Sequence, residues 1–152
     1  MVEQRTENPC VGSSNLFLNI IKFFMLNTLW NVCVNLKNGQ ISRRNFIYQP
    51  KTKLTIAFLN ILWDEGFILG YTIDNIDVNR VKVFFKYKKG TPVIHLIKFI
   101  YTPSRNISYS VTQLWKFDLK KSLIVLTTPK GLMTSYECLR TQTGGKPLFL
   151  IK

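Results

Sequence analysis

The hydrophobic positions of this chain change period several times, and each change marks a candidate element. The longest apolar run, Asn15 to Val34, is built of Leu, Phe, Ile and Val, with Lys22 as its only charge. About 20 apolar residues can span a bilayer. Here Asn15, Asn19, Asn27, Thr28 and Asn31 interrupt the run, which suits a packed amphipathic helix better than a lipid-facing one. The pattern predicts a helix from Leu26 to Lys37, stopped by Asn38-Gly39. Asn45 to Tyr48 reads as a short strand broken by Pro50. From Lys51 to Glu65, Leu54, Ala57/Phe58 and Ile61/Leu62 recur at helical spacing, and Gly66 stands at the C-terminal cap. Phe67 to Ile73 and Arg80 to Tyr87 read as strands. In the second, Val81, Val83 and Phe85 alternate with Lys82, Phe84 and Lys86. Lys88-Lys89-Gly90 is a turn, and Pro92 to Tyr101 a third strand that completes an antiparallel meander.

Thr102 to Asn106 gathers turn formers and reads as a linker. Beyond it, Ile107 to Val111 reads as a strand, and Thr112 as the cap of a helix from Gln113 to Lys121. Leu123 to Leu126 is an apolar strand. Thr127 to Ser135 then turns into a helix ending near Arg140, and Gly144-Gly145 leads into a closing strand, Pro147 to Ile151. The expected class is α+β with two small mixed domains. Residues 1–25 form an extension. Residues 26–101 form a helix-strand-helix unit with a three-stranded antiparallel sheet. After a linker at 102–106, residues 107–152 form a small β-rich domain with short helices.

Charge narrows the function. Lys+Arg is 21 against Asp+Glu 8, a formal net charge of +13. So lopsided a balance is self-repelling until a polyanion neutralises it, and nucleic acid and anionic lipid are the usual partners. Lys51/Lys53, Lys86/Lys88/Lys89 and Lys120/Lys121 disperse the charge, and each pair alone reads equally as a solvated edge. With 46% hydrophobic residues the chain can bury a core, so it is not a basic disordered tail. Cys10, Cys33 and Cys138 lie far apart with no C-x-x-C, which gives neither a zinc spacing nor a disulfide framework. Cys33 and Cys138 read as small apolar residues. His95, the single histidine, alternates with Ile94 and Leu96 as a structural or solvent-facing residue. An enzyme needs clustered carboxylates or an acid–base pair. Asp64-Glu65 is the one adjacent acidic pair and ends a helix, so no catalytic residue, metal site or cofactor is expected.

The turn Thr127-Thr128-Pro129-Lys130-Gly131-Leu132-Met133-Thr134-Ser135 concentrates hydroxyls, a glycine and a lysine between a strand and a helix. It offers backbone N–H groups, hydroxyls and a cation to a phosphate backbone or a groove. An ordinary surface turn is the competing reading. Together with the short helix, the diglycine and the last strand, this turn resembles the C-terminal signature of small-subunit ribosomal protein eight, the bacterial and organellar form. That signature runs Ser-Thr-Ser-Lys-Gly-(Val or Leu)-Met-Thr, then a helix, Gly-Gly-Glu and a terminal apolar strand. Lys37-Asn38-Gly39-Gln40 is similar to the family's Arg-Asn-Gly-Gln, and Pro50-Lys51-Thr52-Lys53-Leu54 to its Pro-Ser-Ser-Lys-Leu. Leu62 to Ile68 is similar to Leu-Lys-Glu-Glu-Gly-Phe-Ile, and Pro103 stands at the family's Arg-Pro-Gly. The resemblance covers Leu26 to Lys152.

The resemblance implies a primary rRNA-binding protein on the central domain of small-subunit rRNA, supporting assembly beside neighbouring ribosomal proteins. It assigns RNA contact to Thr127, Thr128, Lys130, Gly131, Thr134 and Ser135, with Gly144 and Gly145 shaping the adjoining loop. A shallow A-form minor groove is readable by such small hydroxyl and backbone groups. Lys37, Lys51, Thr52, Lys53, Ser104 and Arg105 would add positional contacts. Departures are Pro129 for serine, Lys146 for glutamate, Asn27-Thr28 for Asp-Pro, Asn35 for arginine, and Ser108 for an aromatic, with Tyr109 adjacent. Lysine exceeds arginine, and Phe, Ile and Asn are abundant, as AT-rich coding produces. Glu3 and Glu7 speak against a basic import presequence. An organelle-encoded mitochondrial ribosome is therefore the expected location, a plastid ribosome the alternative. A basic membrane-associated protein anchored by residues 15–34 is the rival function.

Overall fold

In the computed structural model, which describes residues 13–152 apart from 75–76, 102–106 and 117–121, with side chains from residue 27 onward, the apolar run is one long helix. This helix, α1, spans Ser13–Ile41. Residues 1–12 of the expected extension, with Cys10, and the expected linker lie outside the described residues. Leu29, Val32, Cys33, Leu36 and Gln40 are buried along one stripe of α1, at the spacing that points one helical face inward. Of the apolar side chains of residues 29–36, Leu29, Val32, Cys33 and Leu36 are thus used in the core, while Trp30 and Val34 stay exposed. No helix among the described residues is long and apolar enough to cross a membrane.

Asn38-Gly39 does not stop the helix, which runs on to Ile41 before the chain turns at Arg43, φ 52°. The glycine serves packing instead. A Cβ on Gly39 would lie 2.7 Å from the Phe85 ring and 2.9 Å from Ile47. Only a bare Cα lets the end of α1 approach the sheet this closely.

β1 spans Phe46–Pro50 and α2 spans Lys53–Asp64. Pro50 is the last residue of β1 rather than a break, because β1 is an edge strand and can lose a donor. Thr52 caps α2: its Oγ1 accepts from Thr55 N–H at 3.1 Å. Gly66 follows the helix at φ 72°, as expected. β2 (Ile68–Ile73) and β3 (Arg80–Phe85) complete a three-stranded antiparallel sheet in the order β1-β3-β2. The alternation in β3 holds, with Val81, Val83 and Phe85 buried.

The expected third strand, Pro92 to Tyr101, is not part of that sheet. β1 and β2 already occupy both edges of β3. Only β4 (Tyr87–Lys88) with β5 (Thr91–Pro92), and separately β6 (Ile97–Phe99), form strands in this stretch. β6 joins the second sheet, whose order is β6-β9-β7-β8. His95 precedes β6 as an exposed residue. Ile107 to Val111 is no strand either. Tyr109 makes one bridge to Gly145, and α3 spans Val111–Leu114. Ser110, not Thr112, caps α3: its N–H donates to Gln113 Oε1. The last part of the expected helix, with Lys120 and Lys121, lies outside the described residues. β7 (Leu123–Thr128), β8 (Gly131–Thr134), α4 (Ser135–Arg140) and β9 (Lys146–Ile151) finish the chain.

One apolar cluster runs from α1 and α2 through β3 into β7 and β9, including Leu36, Phe58, Leu62, Val83, Val125 and Phe149. A smaller cluster of Leu114, Ile124, Leu126, Cys138 and Leu139 lies under α3 and α4. Burial pushes the Cys33 thiol far above its ordinary range. Burial first, then the Glu137 carboxylate, raises Cys138.

Gly39→Ala decides between helix propensity and packing. Propensity alone would stabilise a helix interior by about 1 kcal/mol, whereas overpacking a core contact costs about 1–3 kcal/mol. The substitution is expected to destabilise the fold by about 1–2 kcal/mol in denaturant unfolding. A gain in stability would show that the Phe85 ring yields freely.

Candidate nucleic-acid interface

The segment Thr127 to Ser135 is a β-hairpin followed by a helix, not a single strand-to-helix turn. Gly131 to Thr134 has enough extended backbone to pair with β7, in the register Thr128↔Gly131, Thr127↔Leu132 and Val125↔Thr134. Pro129 and Lys130 form the tip. Proline presets φ for the first corner of a tight turn, where its missing N–H is not needed. Gly131 follows at φ 122°, in a region that L side chains rarely enter.

The hairpin divides its hydroxyls by task. Thr128 Oγ1 donates to Gly131 O at 3.0 Å and accepts from Lys130 N–H at 3.2 Å, stapling the tip. Thr134 is 4% exposed and caps α4. Its Oγ1 accepts from Glu137 N–H, while its own N–H donates to Glu137 Oε2 at 2.9 Å. Ser135 is 3% exposed. Thr127 lies on the opposite face from Thr128, and its hydroxyl makes no hydrogen bond among the described residues. Within this segment Thr127 has the partly exposed hydroxyl that no hydrogen bond engages, Thr128 and Thr134 build the frame, and Ser135 is buried.

A groove of about 800 Å³ opens beside Thr127. Its floor is apolar, with Leu29, Leu54, Leu132 and Leu148. Its rim is polar, with Ser108, Ser110, Thr127 and Lys146. No carboxylate lines it among the described residues. Gly144 and Gly145 shape it by close approach: a Cβ on Gly144 would lie 2.7 Å from Tyr109 O, and one on Gly145 2.7 Å from Thr127 O. Tyr109 and Gly145 exchange both backbone hydrogen bonds, at 2.9 and 3.1 Å. The diglycine therefore joins the Ser108–Ser110 loop to the end of β7. Lys146 pairs with Thr127 across β7 and β9, so the charge reversal noted in the sequence puts a lysine opposite Thr127 on the wall of the groove.

The structure brings Thr127, Thr128, Gly144 and Gly145 to this groove, with Lys130 exposed at the adjoining tip. Leu54, in the first turn of α2, reaches the same groove, whereas Lys51, Thr52 and Lys53 do not line it. Thr52 uses its hydroxyl as a cap. Lys37 does not line the groove; it is eight residues along α1 from Leu29, about 12 Å at the helical rise. Ser104 and Arg105 lie outside the described residues. Sequence reasoning did not assign contact to Ser108, Ser110 or Lys146. The only signal for them was their departure from, or nearness to, the family pattern.

Comparison with known proteins agrees with this architecture. The family model described as Ribosomal protein S8 matches residues 27–151. The small ribosomal subunit protein uS8 of Baumannia cicadellinicola is 32% identical over 124 residues, 80% of this chain and 94% of the relative. The proteins of that name from Rhodospirillum centenum and Zymomonas mobilis are each 30% identical, over 79% of this chain and 92% of the relative.

The split of roles is measurable in the free protein. Thr128→Val removes a staple that satisfies two backbone groups and should cost about 1–2 kcal/mol. Thr127→Val, with no hydrogen bond to lose, should leave thermal unfolding unchanged. Equal effects of the two changes would erase the distinction between frame and available hydroxyl.

Proposed function

The chain belongs to the ribosomal protein S8 family, and from that premise we propose that it binds small-subunit rRNA directly and supports assembly of that subunit. The observation that carries the reading is the groove, lined by no carboxylate among the described residues, where Thr127, Lys146 and the diglycine edge converge. A hydroxyl and closely approaching backbone suit the shallow minor groove of an A-form helix, while Lys130 and Lys146 meet its phosphates. α2 adds a second positive feature. Its first turn has no acidic residue, and Lys51 and Lys53 flank the cap, so the N-terminal end of the helix and the lysines favour the same anion. The role is structural: the groove holds RNA in a fixed shape, and no catalytic step is assigned to it.

The subunit is that of an organelle, a mitochondrion before a plastid. The excess of lysine over arginine and the abundance of Phe, Ile and Asn support this location. Co-sedimentation with mitochondrial small subunits is the expected result in cell fractionation. Membrane anchoring draws no support from α1, whose Leu29, Val32, Cys33 and Leu36 are core residues.

Binding should weaken steeply with salt, because neutralised phosphates release counterions. At matched salt, a central-domain rRNA fragment should still bind more tightly than a generic duplex. Thr127→Val should lower affinity for the fragment by about tenfold, the cost of one hydrogen bond to a desolvated partner, and leave duplex binding almost unchanged. Lys51→Ala with Lys53→Ala should weaken both RNAs alike and flatten the salt dependence. A Thr127→Val protein that still discriminates like the wild type would make the groove purely structural.

A further inference from the structure

Among the described residues, one face of the first sheet is left bare. α1 and α2 cover the inner face, where Ile47, Gln49, Val81, Val83 and Phe85 point. The alternate positions point outward: Phe46 and Tyr48 on β1, Lys82 and Phe84 on β3, Gly70 and Thr72 on β2. No carboxylate stands among them. Phe46 and Tyr48 are 40% and 46% exposed. Exposed apolar side chains gathered in one patch mark an interaction surface. A Cβ on Gly70, directly across from Phe84, would meet nothing within 4 Å, so the space above this part of the sheet is open.

Lys82 decides what this surface fits. Its Nζ stands 3.9 Å from the centre of the Phe46 ring, and 5.9 and 5.5 Å from the centres of Tyr48 and Phe84. It makes no ion pair among the described residues, whereas Arg80, at the end of the same face, is paired with Asp77 at 3.4 Å. The Phe46 ring has one face occupied by the ammonium and meets Tyr48 edge-on, with centroids 5.7 Å apart. Phe46 therefore positions the cation over the sheet, beside Tyr48, its cross-strand partner. The Tyr48 ring remains for a ligand. An apolar protein surface would desolvate the ammonium and return nothing for it. A nucleotide answers both groups: its base stacks on the ring and its phosphate meets the cation. β1 then leads from Tyr48 through Pro50 to Lys51, about 10 Å along the strand. There Lys51 and Lys53 flank the cap of α2, so the bare face is continuous with the phosphate contacts assigned to that end of the helix.

We propose that the outer face of the first sheet carries an unpaired RNA strand along β1. One base stacks on Tyr48, its phosphate meets Lys82, and the strand runs on to Lys51. The proposal rests on the RNA-binding reading of the chain and adds a single-strand site to the groove beside Thr127.

The test titrates the full chain with short oligouridylate, with inorganic polyphosphate of equal charge and with the central-domain rRNA fragment. Oligouridylate should bind more tightly than polyphosphate. Tyr48→Ala, a change at an exposed position, should lower oligouridylate affinity about tenfold, the usual loss of one stacking contact, and leave polyphosphate binding and thermal unfolding unchanged. Tyr48→Phe keeps the ring and should bind like the wild type. Lys82→Ala should weaken oligouridylate and polyphosphate alike. If the rRNA fragment binds but oligouridylate binds no better than polyphosphate, or ignores Tyr48→Ala, the single-strand site is wrong and the RNA reading stands. If neither RNA binds, both fall. Ultraviolet irradiation of assembled small subunits should join the peptide that contains Tyr48 to RNA. A cross-link of that peptide to a protein instead would overturn the proposal in favour of an acidic protein partner.

Discussion

Phe149 is the contact on which the two sheets depend. It sits in β9 with its ring centroid 5.3 Å from Phe58 of α2 and 4.6 Å from Phe99 of β6. Trp30 of α1 continues the chain of rings onto Phe99 at 3.9 Å. Large aromatic side chains contribute much of the burial in a small protein and prefer such tilted and edge-on contacts. Here they tie the α1–α2 layer to the second sheet, so the core is continuous. The groove beside Thr127 is a by-product of that union, with Leu29 and Leu54 from one side and Leu132 and Leu148 from the other. Its width is fixed by core packing, and that gives the rim groups a set spacing.

Local signals were legible and pairing was not. The stripe of α2, the alternation in β3 and the stop at Gly66 all follow from neighbours within a few residues, and all hold. The partner of β3 across Tyr48↔Lys82 comes from a strand on the far side of α2, and the partner of Phe99 from the last strand of the chain. No periodicity encodes such choices. They are settled by which edges remain open once nearer strands have paired. Gly39 misled for a related reason: a glycine demanded by a distant ring reads, in sequence, like a glycine demanded by the local backbone.

The same ambiguity affected the hydroxyls. A run of Thr and Ser reads as one binding motif, yet Thr128 and Thr134 use their hydroxyls inside the protein and Ser135 is buried, while Thr127 borders the groove with its hydroxyl unengaged. A hydroxyl suits a helix cap, a turn staple and an RNA groove for one chemical reason, since it is small and both donates and accepts. Residue type could not separate these uses; strand alternation does. Lys146 shows the reverse case, where a departure from the family pattern marked a position that proves to stand next to Thr127.

β9 follows every other strand in the chain, yet it lies inside its sheet, between β6 and β7. During synthesis the other three strands of that sheet leave the ribosome without the one that joins them. β6 has no neighbour until then, and β7 holds only its hairpin partner. Phe58 and Phe99 likewise wait for Phe149. The α1–α2 layer and the first sheet can assemble as the chain emerges, but the second sheet closes in one late step, through contacts distant in sequence, which are the slow ones to form. A growing chain therefore carries its open strand edges and unfilled aromatic pocket until β9 has emerged, and shielding by a chaperone or by the RNA itself would matter most in that interval.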